Sequence, residues 1–349
     1  MFMHSHFLSR GVQAALLAAL LFGAATPLAK WLLASVSPWM LAGLFYLGSG
    51  IGLSLYRRIT GAERVSLPAE ERLWLAGAVV FGGILAPVLL MTGLTAMPAS
   101  GASLLLNAEG VFTALLAWFA FKENVDKRIA LGMLSIVLGA LILSWPEKAG
   151  FSTLWPSLSI LGACLAWGID NNLTRKVSLN DASWIAAVKG LVSGSTNLVL
   201  AFLLGASLPA PAILVGAMTL GFLAYGVSLA LFVVALRQLG TARTGAYFSI
   251  APFFGALLAL IMGEPLTTPL MLSGILMAFG IWLHLSEKHA HGHIHDELEH
   301  EHAHVHDDHH QHPHDEVVPP GTVHRHAHRH ARLEHSHAHF PDAHHRHQH

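Results

Sequence analysis

The chain has 349 residues, 53% of them hydrophobic and only 12% charged, with a mean hydropathy of +0.52; a soluble domain carries roughly a quarter charged residues. Water is therefore excluded as the main solvent, and the formal net charge of −1 gives no support to a nucleic-acid partner. The one cysteine, Cys164, excludes an internal disulfide and, lying in an apolar stretch, reads as a packing residue.

A membrane-spanning helix needs about 20 mostly apolar residues. Apolar runs broken by charged or Pro/Gly-bearing segments lie at 11–34, 38–56, 73–96, 99–121, 129–145, 155–174, 183–204, 211–236, 241–262 and 268–286. The pattern predicts an all-α integral membrane protein of ten transmembrane helices. The first run follows Arg10, as a signal peptide would, but nine more follow it, so it reads as the first span.

Lys and Arg divide unequally between alternate loops. One side collects thirteen, including Arg57, Arg64, Lys127, Arg175 and Arg237, whereas the other has Lys148 alone. Because cytoplasmic loops retain positive charge, this predicts a bacterial-type inner membrane protein with both termini cytoplasmic.

The chain repeats itself after about 142 to 145 residues. Phe22-Gly23, Lys30 and Trp39 correspond to Trp167-Gly168, Arg175 and Trp184, and Ala114–Ala117 ending in Glu123 corresponds to Ala256–Ala259 ending in Glu264. Each copy holds five helices, an odd number, so the second enters the membrane from the opposite face. Such inverted repeats place a substrate site near the midplane between halves that alternate in access. The expected organisation is a cytoplasmic N-terminus (1–10), a first five-helix repeat (11–145), a periplasmic linker (146–154), a second repeat (155–287) and a tail (288–349).

The stretch Ala99-Ser100-Gly101-Ala102-Ser103 leading to Leu115-Leu116-Ala117-Trp118 and Glu123, then Gly132 and Gly139, with a second copy from Thr241 to Glu264-Pro265, resembles the EamA-type transporters of the drug/metabolite transporter superfamily. The likeness covers residues 11–286. It implies a transporter rather than an enzyme, and no His-Glu-x-x-His or Gly-x-Ser-x-Gly motif points to catalysis. The chain departs from the family pattern in having Phe22 before Gly23, and Phe45-Tyr46 where an Arg is common in the second helix.

An ionisable group at a helix centre costs roughly 2.5 to 3.5 kcal/mol to insert, so each needs a partner, a wet cavity or a function. Lys30, Glu109, Asp170 and Lys189 fall inside the runs. Asp170 and Lys189 lie at similar depth and read either as a structural ion pair or as a substrate or gating pair. Glu109 reads as a proton-coupling carboxylate or as a packed group beside Lys30 or water. Lys189, Ser193, Thr196 and Asn197 occupy one face of the seventh run, and Asn171 and Asn172 read as substrate ligands or as helix-end formers. Gly48/Gly52 and Gly190/Gly194 permit close helix approach. Lys122, Glu123 and Glu264 read as interfacial anchors.

Residues 289–349 hold 23 of the 26 histidines, interleaved with ten acidic residues and few apolar ones. Such a composition predicts a disordered tail. Its His-x-His runs, comprising His289, His291, His293 and His295, His300, His302, His304 and His306, His324, His326, His328 and His330, and His335 to His339, predict binding of Zn, Ni, Co or Cu through neutral imidazole. No cofactor is required; the expected partners are the lipid bilayer, a small-molecule or ion substrate and transition-metal ions, with a homodimer left open. Three functions compete: efflux of a small metabolite, drug-like solute or ion with a metal-binding regulatory tail, export of Zn, Ni or Co fed by that tail, and a membrane metal sensor or buffer that transports nothing.

Overall fold

The computed structural model describes residues 10–121, 127–145, 151–177, 180–239, 244, 247–285, 290–295, 298–304, 324–330 and 333–338. The expectations placed on Lys122, Glu123, Lys148, His289, His306 and His339 fall outside these residues.

Every regular element among the described residues of 10–285 is a helix. The elements are α1 (Arg10–Leu32), α2 (Pro38–Ile59), α3 (Arg72–Ala78), α4 (Ala86–Leu94), α5 (Ala99–Leu105), α6 (Ala108–Phe121), α7 (Lys127–Ser144), α8 (Phe151–Arg175), α9 (Ala182–Leu203), α10 (Pro211–Gly221), α11 (Ser228–Leu239), α12 (Ala251–Ile261) and α13 (Thr268–Leu285). Two π-helical segments join neighbours end to end: π1 (Val79–Leu85) links α3 to α4, and π2 (Phe222–Val227) links α10 to α11. Among the described residues six segments are long and apolar enough to cross a membrane: Arg10–Leu32, Pro38–Ile59, Ala69–Leu94, Ala99–Leu116, Ala182–Leu203 and Pro211–Ala235. Shorter apolar helices cover Ala130–Ser144, Ala251–Ile261 and Thr268–Leu283. Large apolar side chains also cover the outside, Trp31 at 66%, Leu73 at 81% and Phe119 at 72% exposure among them. An outer surface of this kind is matched by lipid and not by water, and the chain is a multi-pass membrane protein.

Local chemistry sets several helix starts. Ser37 accepts from the Met40 N–H at the head of α2, with Pro38 in the first turn where no donor is needed. Asp181 does the same for α9 through the Trp184 N–H at 3.0 Å, and Arg57 reaches across from α2 to its carboxylate at 2.7 Å. Burial acts to raise the Asp181 carboxyl, but the Ser183 hydroxyl, the Trp184 N–H and Arg57 outweigh it and hold the pKa below the usual carboxylate value.

Helix α1 packs on α11 and α12, α8 on α4 and α6, α2 on α9 and α10, and α7 on α13. The α2–α9 crossing is the tightest kind of contact: a Cβ at Gly190 would lie 2.6 Å from the Gly50 nitrogen, and one at Gly194 only 2.4 Å from that of Leu47. Gly48 faces α10 instead, 2.1 Å from the Met218 carbonyl. In lipid, where helices gain no hydrophobic energy by associating, such backbone approach supplies the packing.

The tail forms a second unit, residues 288–349. Where its composition predicts no fixed structure, its described stretches are strands: β1 (Ala290–His295) pairs antiparallel with β4 (Leu333–Ala338), and β2 (Leu298–His304) with β3 (His324–His330). The His-x-His alternation has the period of a strand, two, and that periodicity prevails over low hydrophobicity here.

Gly190→Ala should lower thermal stability in detergent by roughly 1–3 kcal/mol, the cost of overfilling a close contact. Gly216→Ala, at a helical position with nothing within 4 Å of the added carbon, should leave it unchanged; equal effects at the two positions would contradict the packing described.

Candidate functional site

The site begins with a proline. Pro87 opens α4 just after π1 and has no N–H. A donor at residue 87 would close on Gly83 in an α-turn or on Gly82 in a π-turn, and both glycine carbonyls take side-chain partners. They find them on three helices. Tyr46 of α2 donates its hydroxyl to the Gly82 carbonyl at 2.7 Å, Trp167 of α8 donates Nε1 to the same oxygen at 3.1 Å, and Asn197 of α9 donates Nδ2 to the Gly83 carbonyl at 3.1 Å. Widened helical turns of this type occur mostly at functional positions.

Against these glycines lie the charges. A Cβ at Gly82 would stand 1.8 Å from Asp170 Oδ2, and one at Gly83 1.8 Å from Ser193 Oγ. Both positions must therefore lack a side chain. Lys189 Nζ donates to both Asp170 oxygens at 2.6 Å, and Thr174 adds a third donor at 2.8 Å. Asp170 is 6% exposed, and Ser193 and Asn197 are fully buried. Ser193 Oγ and Asn197 Oδ1 have no hydrogen-bond partner among the described residues.

A second polar group joins α6 to α8. Asn171 Nδ2 donates to Glu109 Oε1 at 2.9 Å and to Thr113 Oγ1 at 3.1 Å, while Asn172 donates to the carbonyls of Thr113 and Gly168 at 3.2 and 2.8 Å. Asp170, Asn171 and Asn172 thus stand at adjacent positions of α8 and serve two different clusters. The helical step of about 100° between neighbours accounts for this.

Not every residue singled out in the sequence joins these clusters. Thr196 bonds back to the Val192 carbonyl of its own helix at 2.8 Å. Lys30 donates to the carbonyls of Leu94 and Thr95 at 2.5 and 3.2 Å, binding α1 to the C-terminal end of α4, where the helix dipole favours a cation. Glu109 has Asn171 as its partner, not Lys30. Glu264, expected to be an interfacial anchor, accepts from the N–H groups of Ala99 and Ser100 at 2.6 and 2.8 Å and so caps α5 from 164 residues away. Tyr46, Trp167 and the Gly82-Gly83 doublet were not chosen as site residues by sequence reasoning. The doublet, four and five residues before Pro87, is the usable signal. A cavity of about 360 Å³ lined by Arg57, Arg58, Arg64 and Trp184 contains none of these groups.

Residues 9–145 match the EamA-like transporter family. A protein of Methanothermobacter thermautotrophicus described as an uncharacterized transporter is 29% identical over 287 residues, covering 76% of this chain and 83% of that one. A probable amino-acid metabolite efflux pump of Salmonella typhimurium is 25% identical over 205 residues, 54% of this chain and 68% of its own. A crystal structure of a protein 18% identical superposes with a TM-score of 0.59 over 78% of this chain and 95% of that chain, which shows a shared fold. The chain is thus similar to EamA-like transporters over residues 9–145, and to two proteins described as a transporter and a probable efflux pump over more of its length.

Proposed function

We propose that the chain is a secondary transporter that exports a small metabolite or drug-like solute by alternating access, with the Asp170–Lys189 pair as the charged part of its solute site. The single observation that carries this reading is the position of the pair: two opposite charges 2.6 Å apart, buried against side-chain-free turns of π1, with two unpartnered buried oxygens, Ser193 Oγ and Asn197 Oδ1, on the adjoining face of α9. A solute carrying one or both of these charges exchanges for the partner within the pair. Asn171 and Asn172, on the same helix, line the route on the α6 side, and Glu109 supplies the carboxylate for proton coupling.

Two five-helix halves of opposite topology, ten crossings in all, provide the alternation. The packing pattern supports it. Helix α1 lies against α11 and α12 while α8 lies against α4 and α6, the swapped arrangement expected when the first helix of each half packs on the third and fourth of the other. π1 and π2 also begin 143 residues apart, within the sequence repeat. The charge bias of the loops supports cytoplasmic placement of both termini in a bacterial-type cell. There the tail binds Zn, Ni, Co or Cu and modulates flux.

The same pair argues against a transition metal as cargo, because the Lys189 ammonium occupies the Asp170 carboxylate and repels an incoming cation. Gradient-driven flux in proteoliposomes separates transport from a sensor or buffer role.

Asp170→Asn or Lys189→Met alone should destabilise the protein by about 3–5 kcal/mol, because each leaves one buried charge unmatched. The double variant should recover most of that stability and still fail to transport. Recovery of flux along with stability would reduce the pair to a structural role.

Glu109→Gln preserves shape and removes the titrating group. Flux in proteoliposomes should then lose its pH dependence while the protein inserts normally; an unchanged pH profile would remove Glu109 from the coupling step.

A further inference from the structure

We propose that the tail carries built divalent-metal sites, each made of two successive His–His rungs: His291, His293, His335 and His337 in the β1–β4 pair, and His300, His302, His326 and His328 in the β2–β3 pair. This rests on the reading that the tail binds metal, and it assigns the metal to defined sets of four histidines.

The register makes the argument. His291 stands opposite His337, His293 opposite His335, His300 opposite His328, His302 opposite His326 and His304 opposite His324. Directly opposed positions share a face of the ladder with Cβ atoms about 4.5–5.5 Å apart, and positions i and i+2 share that face about 6.5 Å apart along the strand. Two adjacent rungs therefore put four imidazole-bearing positions at the corners of one small rectangle. Slipping either ladder by one residue would leave no histidine opposite a histidine. In the register adopted, the alternate positions of β2–β3 set Glu299 opposite Arg329, a favourable pairing of unlike charges.

The spacing of the histidines carries the same information independently. In the first arm they change from odd positions (291, 293, 295) to even ones (300, 302, 304), and in the second arm from even positions (324 to 330) to odd ones (335, 337). The two changes fall at the same level of the ladder, and the numbers of paired residues add to the same total in both pairs. A run of independent ligands requires no such match between arms. Four neutral imidazoles suit a borderline divalent ion such as Zn(II) or Ni(II), whereas Mg(II) and Ca(II) select oxygen donors.

Zn(II) binding to the full-length protein in detergent at pH 7.5 provides the test, with the number of ions bound measured by equilibrium dialysis. His300→Ala/His302→Ala and His326→Ala/His328→Ala should each lose the same single ion, and the quadruple variant should lose no more than either. The control His295→Ala/His330→Ala removes two histidines whose opposite residues are Leu333 and Leu298, and it should retain that ion. Loss in proportion to the number of histidines removed, wherever they lie, would overturn the rungs while leaving metal binding intact. A full-length protein that binds no Zn(II) would overturn both.

Discussion

A partly buried ammonium and a buried carboxylate, Lys189 and Asp170, hold α8 and α9 against a turn of helix that has no side chains to spare. In a bilayer either charge alone would be expelled or neutralised, so each makes the other tolerable. Their placement depends on Gly82 and Gly83. Any larger residue there would occupy the space of the Asp170 carboxylate or the Ser193 hydroxyl, so the fit of the pair and the shape of π1 are one constraint.

That constraint extends through Pro87. Pro87 withholds one donor from the turn before it, where lipid offers no substitute, and Tyr46, Trp167 and Asn197 donate to the Gly82 and Gly83 carbonyls of that turn from α2, α8 and α9. Three helices of the bundle thus converge on one irregular turn through hydrogen bonds and not through shape alone. Such an arrangement can have two states. If a solute takes the place of Lys189 at Asp170, or of Asp170 at Lys189, the tie between α8 and α9 is released while the proline-driven bonds keep π1 intact. The charged bonds elsewhere act at helix ends: Lys30 on the last carbonyls of α4, Glu264 on the first amides of α5 and Arg57 on the Asp181 cap of α9. Each joins distant parts of the chain at the edge of a span, where a change in helix tilt would be felt.

Much of the membrane part was legible because lipid imposes a simple rule on sequence. Apolar length marks the helices, and the rare ionisable residues mark the places where a partner must exist. Asp170 with Lys189, and the α9 face bearing Ser193 and Asn197, could be read in this way. Thr196 could not be separated from that face by spacing alone, since its bond to Val192 is a choice of rotamer. The roles of Tyr46, Trp167 and Glu264 depend on groups 36, 85 and 164 residues away, and no local pattern encodes such a distance. In the tail, the alternation of the histidines and their matched spacing in two arms coincide with the strand register.

The nitrogen of Lys189 is the most direct reporter of the central claim that solute meets the ion pair. In protein labelled with ¹⁵N-lysine and assigned with Lys189→Arg, the Lys189 Nζ resonance should shift when a transported solute is added and remain in place for a solute that is not transported. A resonance that does not move at saturating concentrations of a transported solute would contradict the account.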